Sequence, residues 1–119
     1  MNSLKIEITN NKTEYLPCEM VTGTCFWAFD KSPKTIELRF FWYTSGKGNG
    51  DVKTVEILTI KEPLREGERD FSFTLPAIPW SFSGKLISLM WAIEMIAEPG
   101  GETERLEITM SPSGKKILL

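Results

Sequence analysis

Apolar and polar residues alternate along most of this chain with a period of two, the repeat of a strand that buries one face. Leu4, Ile6 and Ile8 alternate with Lys5, Glu7 and Thr9, and Asn10, Asn11 and Lys12 then supply turn chemistry. From Glu19 the run EMVTGTCFWAFD places Val21, Gly23, Cys25, Trp27 and Phe29 on one parity. A glycine inside such a run marks a bulge or a close backbone approach. Beyond the break at Pro33, TIELRFFWY sets Ile36, Leu38, Phe40 and Trp42 against Glu37, Arg39, Phe41 and Tyr43. The loop SGKGNGD follows, and its Asn49-Gly50 step favours the positive φ angles of a hairpin. Val52 to Ile60, rich in Val, Ile and Thr, reads as the returning strand, ended by Pro63 and the polar stretch LREGERD.

Phe71, Phe73 and Leu75 resume the alternation before the loop LPAIPWSFSG. Lys85 to Ala97 contains good helix formers, but Ile87, Leu89, Trp91, Ile93 and Met95 share one parity and Pro99-Gly100-Gly101 forms a tight turn, so it reads as a strand. Leu106, Ile108 and Met110 close the series, and SPSGKKILL is either a last short edge strand or the start of a further segment. About seven strands with no amphipathic helix predict an all-β fold, an antiparallel β-sandwich filling residues 1–119 as a single domain.

Composition narrows the chemistry. Lys plus Arg number 14 against 16 for Asp plus Glu, a net charge of −2, which argues against a nucleic-acid partner. There is no histidine, which removes Ser-His-Asp and Cys-His mechanisms and His-containing zinc sites. No apolar run approaches the ~20 residues of a membrane-crossing helix, so no membrane insertion is expected. MNSLKIEITN lacks the features of a secretory leader, which makes the cytoplasm the expected location. Cys18 and Cys25 fit neither a C-x-x-C motif nor, on one strand, a disulfide, and read as reduced thiols.

Several ordered passages resemble one family. Tyr15-Leu16-Pro17-Cys18-Glu19-Met20-Val21-Thr22-Gly23-Thr24-Cys25 resembles the Y-x-P-G-E-x-V-x-G-x-V signature of arrestin-like domains, with Cys18 standing where the family has glycine. Ser32 to Phe40 is similar to the family's K-x-I-x-L-R-F strand. Phe73-Thr74-Leu75-Pro76 with Pro79, Ser81, Phe82 and Gly84-Lys85 resembles its F-x-L-P … P-x-S-F-x-G-K passage, and Ser88 to Ile93 its next strand, with Trp91 replacing tyrosine. The resemblance implies an immunoglobulin-like β-sandwich without catalytic machinery that serves as a scaffold for protein contacts. Typical members carry two such sandwiches, and this chain has room for one. Their polar-core and phosphate-sensing residues have no counterparts here, so receptor or phosphate recognition does not carry over.

The remaining motifs read as ordinary surface. Gly46 to Gly50 lacks the helix and Lys-Ser/Thr pair of a phosphate loop and reads as a hairpin tip. The pairs Glu66/Glu68 and Glu102/Glu104 fall in polar, turn-rich stretches where carboxylates are solvated, and Asp51 and Asp70 belong to no calcium array. No catalytic residue, metal or cofactor is expected. Trp27, Trp42 and Trp91 lie on inward parities, whereas Trp80, in a loop, either caps the sandwich or projects as an anchor.

The outward parity is the informative one. Phe26 and Ala28, Phe41 and Tyr43, and Met90 and Ala92 should point away from the core, unless a bulge at Gly23 exchanges the faces. Contiguous apolar surface marks contacts, with a partner protein or with a second copy in a homodimer. The candidate protein-binding residues are therefore Phe26, Phe41, Tyr43, Trp80 and Met90 of a non-catalytic interaction or scaffold domain. Exposed strand edges offer a second route to a partner. The alternative is a carbohydrate-binding sandwich that stacks sugars on Trp80 and Tyr43, which needs polar side chains beside the rings.

Overall fold

A computed structural model describes residues 1–48 and 50–119, so the predicted turn position at Asn49 lies outside the described residues. Among the described residues ten strands are formed: β1 (Ser3–Ile8), β2 (Glu14–Tyr15), β3 (Met20–Ala28), β4 (Thr35–Gly46), β5 (Val52–Lys61), β6 (Glu66–Thr74), β7 (Phe82–Ser83), β8 (Ile87–Glu98), β9 (Glu102–Met110) and β10 (Ile117–Leu118). Seven of them are long, as the alternation predicts, and three are two-residue pairings. A small sheet has the order β1-β3-β6. The larger sheet runs β5-β4-β8, after which β9 and β7 share the far edge of β8. β2 pairs with β9, and β10, formed by the C-terminal tail, pairs with β7.

The inward parities of both sheets meet in one core. Ile6, Ile8, Val21, Cys25, Trp27, Phe71 and Phe73 come from the small sheet, and Ile36, Leu38, Phe40, Trp91, Ile93 and Met95 from the larger one. Trp42, partly buried, packs against this core. Phe40 joins the layers, stacking on Phe73 with centroids 5.0 Å apart and tilting against Trp91 at 5.1 Å.

The small sheet keeps an unbroken register through Gly23, so of its two readings this glycine marks the close approach and not a bulge. Two local readings are corrected. Glu66 to Asp70, read as a break, forms the first half of β6, and Glu102 and Glu104 lie on β9. These stretches carry almost no apolar residues, and neighbouring strands supply what their own pattern lacks. Register with β3 puts Gly67 beneath Trp27, where an added Cβ would stand 2.6 Å from the indole, and the indole Nε1 donates to the Leu64 carbonyl at 2.9 Å.

The turn from Leu16 to Glu19 holds a non-glycine residue in an unusual backbone conformation. Cys18 has φ +68°, in the left-handed region that a side chain disfavours. The turn is held by Glu19, which accepts from the Leu16 N–H at 2.8 Å and pairs with Lys12. Both cysteines are free, Cys18 exposed and Cys25 buried, where burial raises the thiol pKa.

Beside the turn, Tyr15 is buried and donates to the Lys12 carbonyl at 3.0 Å. Burial first, then the charge of Glu19, pushes its pKa up from 10.0 to about 12. The folded state thus holds this proton more tightly than the unfolded chain does. Its contribution is complete below pH 10.0 and is lost as the pH rises through about 12. Tyr15→Phe is expected to flatten the alkaline fall in melting temperature, while the lost hydrogen bond costs about 1 kcal/mol at neutral pH. An unchanged alkaline fall in the variant would assign that titration elsewhere.

Candidate functional site

The outer face of the larger sheet is where cross-strand pairing gathers the predicted outward residues. β4 pairs with β8 so that Phe41 lies opposite Ala92 and Tyr43 opposite Met90. β8 pairs with β9 so that Glu94 lies opposite Arg105 and Ala92 opposite Glu107. On the other side of β4, Arg39 faces Ile57, Phe41 faces Thr54 and Tyr43 faces Val52. Between Phe40 and Phe41 the register shifts, which leaves Val55 as the extra residue of a bulge in β5.

Arg105 organises this face. Its guanidinium lies 5.1 Å from the ring centroids of both Phe41 and Tyr43, which are themselves 5.9 Å apart. Glu94 holds it in place at 3.1 Å. For a solvent-exposed cation such as Arg105, contact with an aromatic face contributes about 0.5–1 kcal/mol. Beside it Arg39 is held by Glu37 at 2.7 Å, so each guanidinium has its own carboxylate. The Tyr43 hydroxyl donates to Glu107 at 2.8 Å and approaches the Met90 sulfur at 3.7 Å. Burial, then the bond to Glu107, raises the Tyr43 pKa. A shallow cavity of about 240 Å³ is left between Arg39, Tyr43, Val52, Thr54, Glu94 and Arg105.

This arrangement alters the expected patch in three ways. Phe41 points outward as predicted, yet Arg105 and its neighbours leave it only 5 % exposed. Ala92 is fully buried on the same face. Phe26 is half-buried on the outer face of the small sheet, between Lys5 of β1 and Glu68 of β6. It lies across the core from Phe41, so the three strands do not build one apolar surface. Trp80 sits in the loop joining β6 to β7, half-exposed, its Nε1 donating to the Ala77 carbonyl at 2.9 Å. Trp80 and Tyr43 therefore belong to a loop and a sheet face, and Arg105 already occupies the face of the Tyr43 ring.

The acidic pairs are also placed. Glu66 and Glu68 lie on the outer face of the small sheet, and Asp70 there accepts a hydrogen bond from Thr24 at 2.7 Å. Asp51 precedes β5, its N–H bonded to Thr44 Oγ1 at 2.7 Å.

Sequence reasoning did not pick out Arg105, Glu94 or Glu107. The available signal was the polar parity of β9, with Thr103, Arg105 and Glu107 opposite Leu106 and Ile108 in alternation. A second omission is the free edge of the larger sheet. Among the described residues β5 is bonded to β4 alone, and along it Val52, Val55 and Ile57 are 69, 40 and 50 % exposed.

No protein-family model matches the chain, and no curated protein matches it by sequence. Among solved structures it is similar to the sporulation control protein Spo0M from Bacillus subtilis, with a TM-score of 0.63 and 22 % identity over 92 % of this chain. The match spans 49 % of the Spo0M chain, about half its length. A β-glucosidase from Listeria innocua is similar at a TM-score of 0.53 and 9 % identity, over 99 % of this chain and 16 % of the enzyme. At these identities the likeness establishes the β-sandwich fold.

Proposed function

We propose that this chain is a non-catalytic protein-interaction module, with its contact surface on the β5 edge and the adjoining outer face of the larger sheet. The observation that carries the reading is β5 itself, ten residues paired on one side only, with Val52, Val55 and Ile57 exposed. A free edge presents a row of N–H and C=O groups to which another strand can add, and exposed aliphatic side chains extend the contact. The bulge at Val55 twists one end of the edge, whereas Glu56–Lys61 stays in regular register with Thr35–Phe40. Tyr43 and the Arg105 guanidinium line one cavity with Val52 and Thr54 of this strand and form a polar-aromatic rim beside it. The ordered passages that resemble arrestin-like domains, and the fold shared with Spo0M, support a scaffold over a catalyst.

Self-association through β5 is the first form of this contact to test. Light scattering over a concentration series should show a dimer of 2 × 13.5 = 27 kDa forming as concentration rises. Ile57→Lys, an exposed change, should return the chain to monomer without altering its melt. A dimer that survives Ile57→Lys would exclude the β5 edge. A monomer at every concentration would exclude self-association and direct the search to a different chain.

A further inference from the structure

The loops at one end of the sandwich carry a different combination of residues. β4 ends there, β8 begins there, the β6–β7 loop crosses it, and the C-terminal strand closes it. The Lys47 N–H bonds to the Leu86 carbonyl at 3.0 Å, and the Leu119 N–H bonds to the Ser83 carbonyl at 3.0 Å. On this end Ile78, Trp80, Leu86, Ile87 and Leu118 are 69, 41, 65, 41 and 80 % exposed. The opposite end, formed by the β3–β4, β5–β6 and β8–β9 loops, exposes Leu64 and Met1 as its large apolar side chains. Ile78, Trp80 and Leu86 stand out from loops, and Ile87 and Leu118 from strand ends beside them.

The charge of this end departs from the rest of the chain. Residues 75–90 and 108–119 contain Lys85, Lys115 and Lys116 and no acidic residue, and Lys47 adjoins them. Among the described residues these four lysines form none of the ion pairs, in a chain whose net charge is −2. Asp51 shares the β4–β5 loop with Lys47, and Glu19, in the turn before β3, is held by Lys12.

We infer that this end docks on an anionic lipid surface. Protruding aliphatic side chains enter the boundary between headgroups and acyl chains, Trp80 sits at headgroup depth, and the four ammonium groups meet the lipid phosphates. This is adsorption by side chains, distinct from crossing, and no helix among the described residues is long and apolar enough to cross a membrane. A second copy meeting this end would bring eight like charges together, which disfavours self-association here. A rigid protein partner requires complementary walls, whereas separately protruding apolar side chains suit a deformable surface.

The test is flotation with vesicles of pure phosphatidylcholine and of phosphatidylcholine with about a third phosphatidylserine. The chain should float with the anionic vesicles only, and high salt should release it. Each Lys→Gln change at 85, 115 or 116 should weaken binding about fivefold. Leu86→Ser with Leu118→Ser should weaken it about tenfold per site, with an unchanged melt because both side chains are exposed. Ile57→Lys should leave vesicle binding intact, which separates this surface from the β5 edge. Absence of flotation at low salt, or flotation unaffected by these changes, would overturn the inference. So would a dimer that Leu86→Ser with Leu118→Ser dissolves. Capture by immobilised polyglutamate that depends on the lysines and not on the leucines would assign an acidic polypeptide instead.

Discussion

Phe40→Ala is expected to lower the unfolding free energy by about 3–5 kcal/mol, read as a fall in the denaturant midpoint with an unchanged slope. Phe40 is fully buried, and its ring is the piece of β4 that reaches the small sheet, stacked on Phe73 at 5.0 Å and against Trp91 at 5.1 Å. Both neighbours are held in strands of different sheets, so the cavity cannot close without moving one layer toward the other. Phe41, one residue along, is the control. It lies beneath Arg105 on the opposite face, and its truncation should cost about 1.5–3 kcal/mol, the value of covered apolar area without an inter-sheet cavity. Equal losses at the two positions would contradict the assigned faces.

Gly23→Val should be at least as damaging, by about 3 kcal/mol or more. Valine is a good strand former, so propensity alone predicts a gain. The position forbids it, because a Cβ there would overlap the Glu7 carbonyl oxygen of β1 and stand 2.7 Å from Cζ of Phe71. The backbone oxygen cannot turn aside as a flexible side chain could, so β1 must part from β3. Amide exchange should therefore accelerate along Ser3–Ile8 before the rest of the sandwich. A Gly23→Val chain with an undiminished midpoint and slow exchange in β1 would refute the close approach.

These two positions also show what could be read before any coordinates. The parity of Phe40 and Phe41 was plain in TIELRFFWY, since successive strand residues face opposite ways. Gly23 was visible as an interruption, but its alternatives were a bulge and a close approach, which only the partner strand distinguishes. The first half of β6 was missed because its Glu, Gly, Glu, Arg and Asp residues have no apolar alternation of their own. Its strand character comes from pairing with β3 and from Trp27 lying over Gly67.

The candidate surface divides in the same way. Phe26, Phe41, Tyr43 and Met90 were assigned outward from the two-residue repeat, and they lie on outer faces. Parity does not say which sheet a strand joins, and so it merged Phe26 with residues on the far side of the core. Nor could it foresee that Arg105 would roof Phe41, because that contact depends on β9 pairing with β8 and β8 with β4. The sequence by itself determined the seven long strands in outline, their inward faces and the all-β class, because alternation and turn chemistry act within a few residues. Tertiary structure alone decided the free edge at β5, the roof over Phe41 and the gathering of exposed apolar residues and lysines at one end. Each of these arises from pairing and loop convergence between segments far apart in the chain, where the local pattern carries no signal.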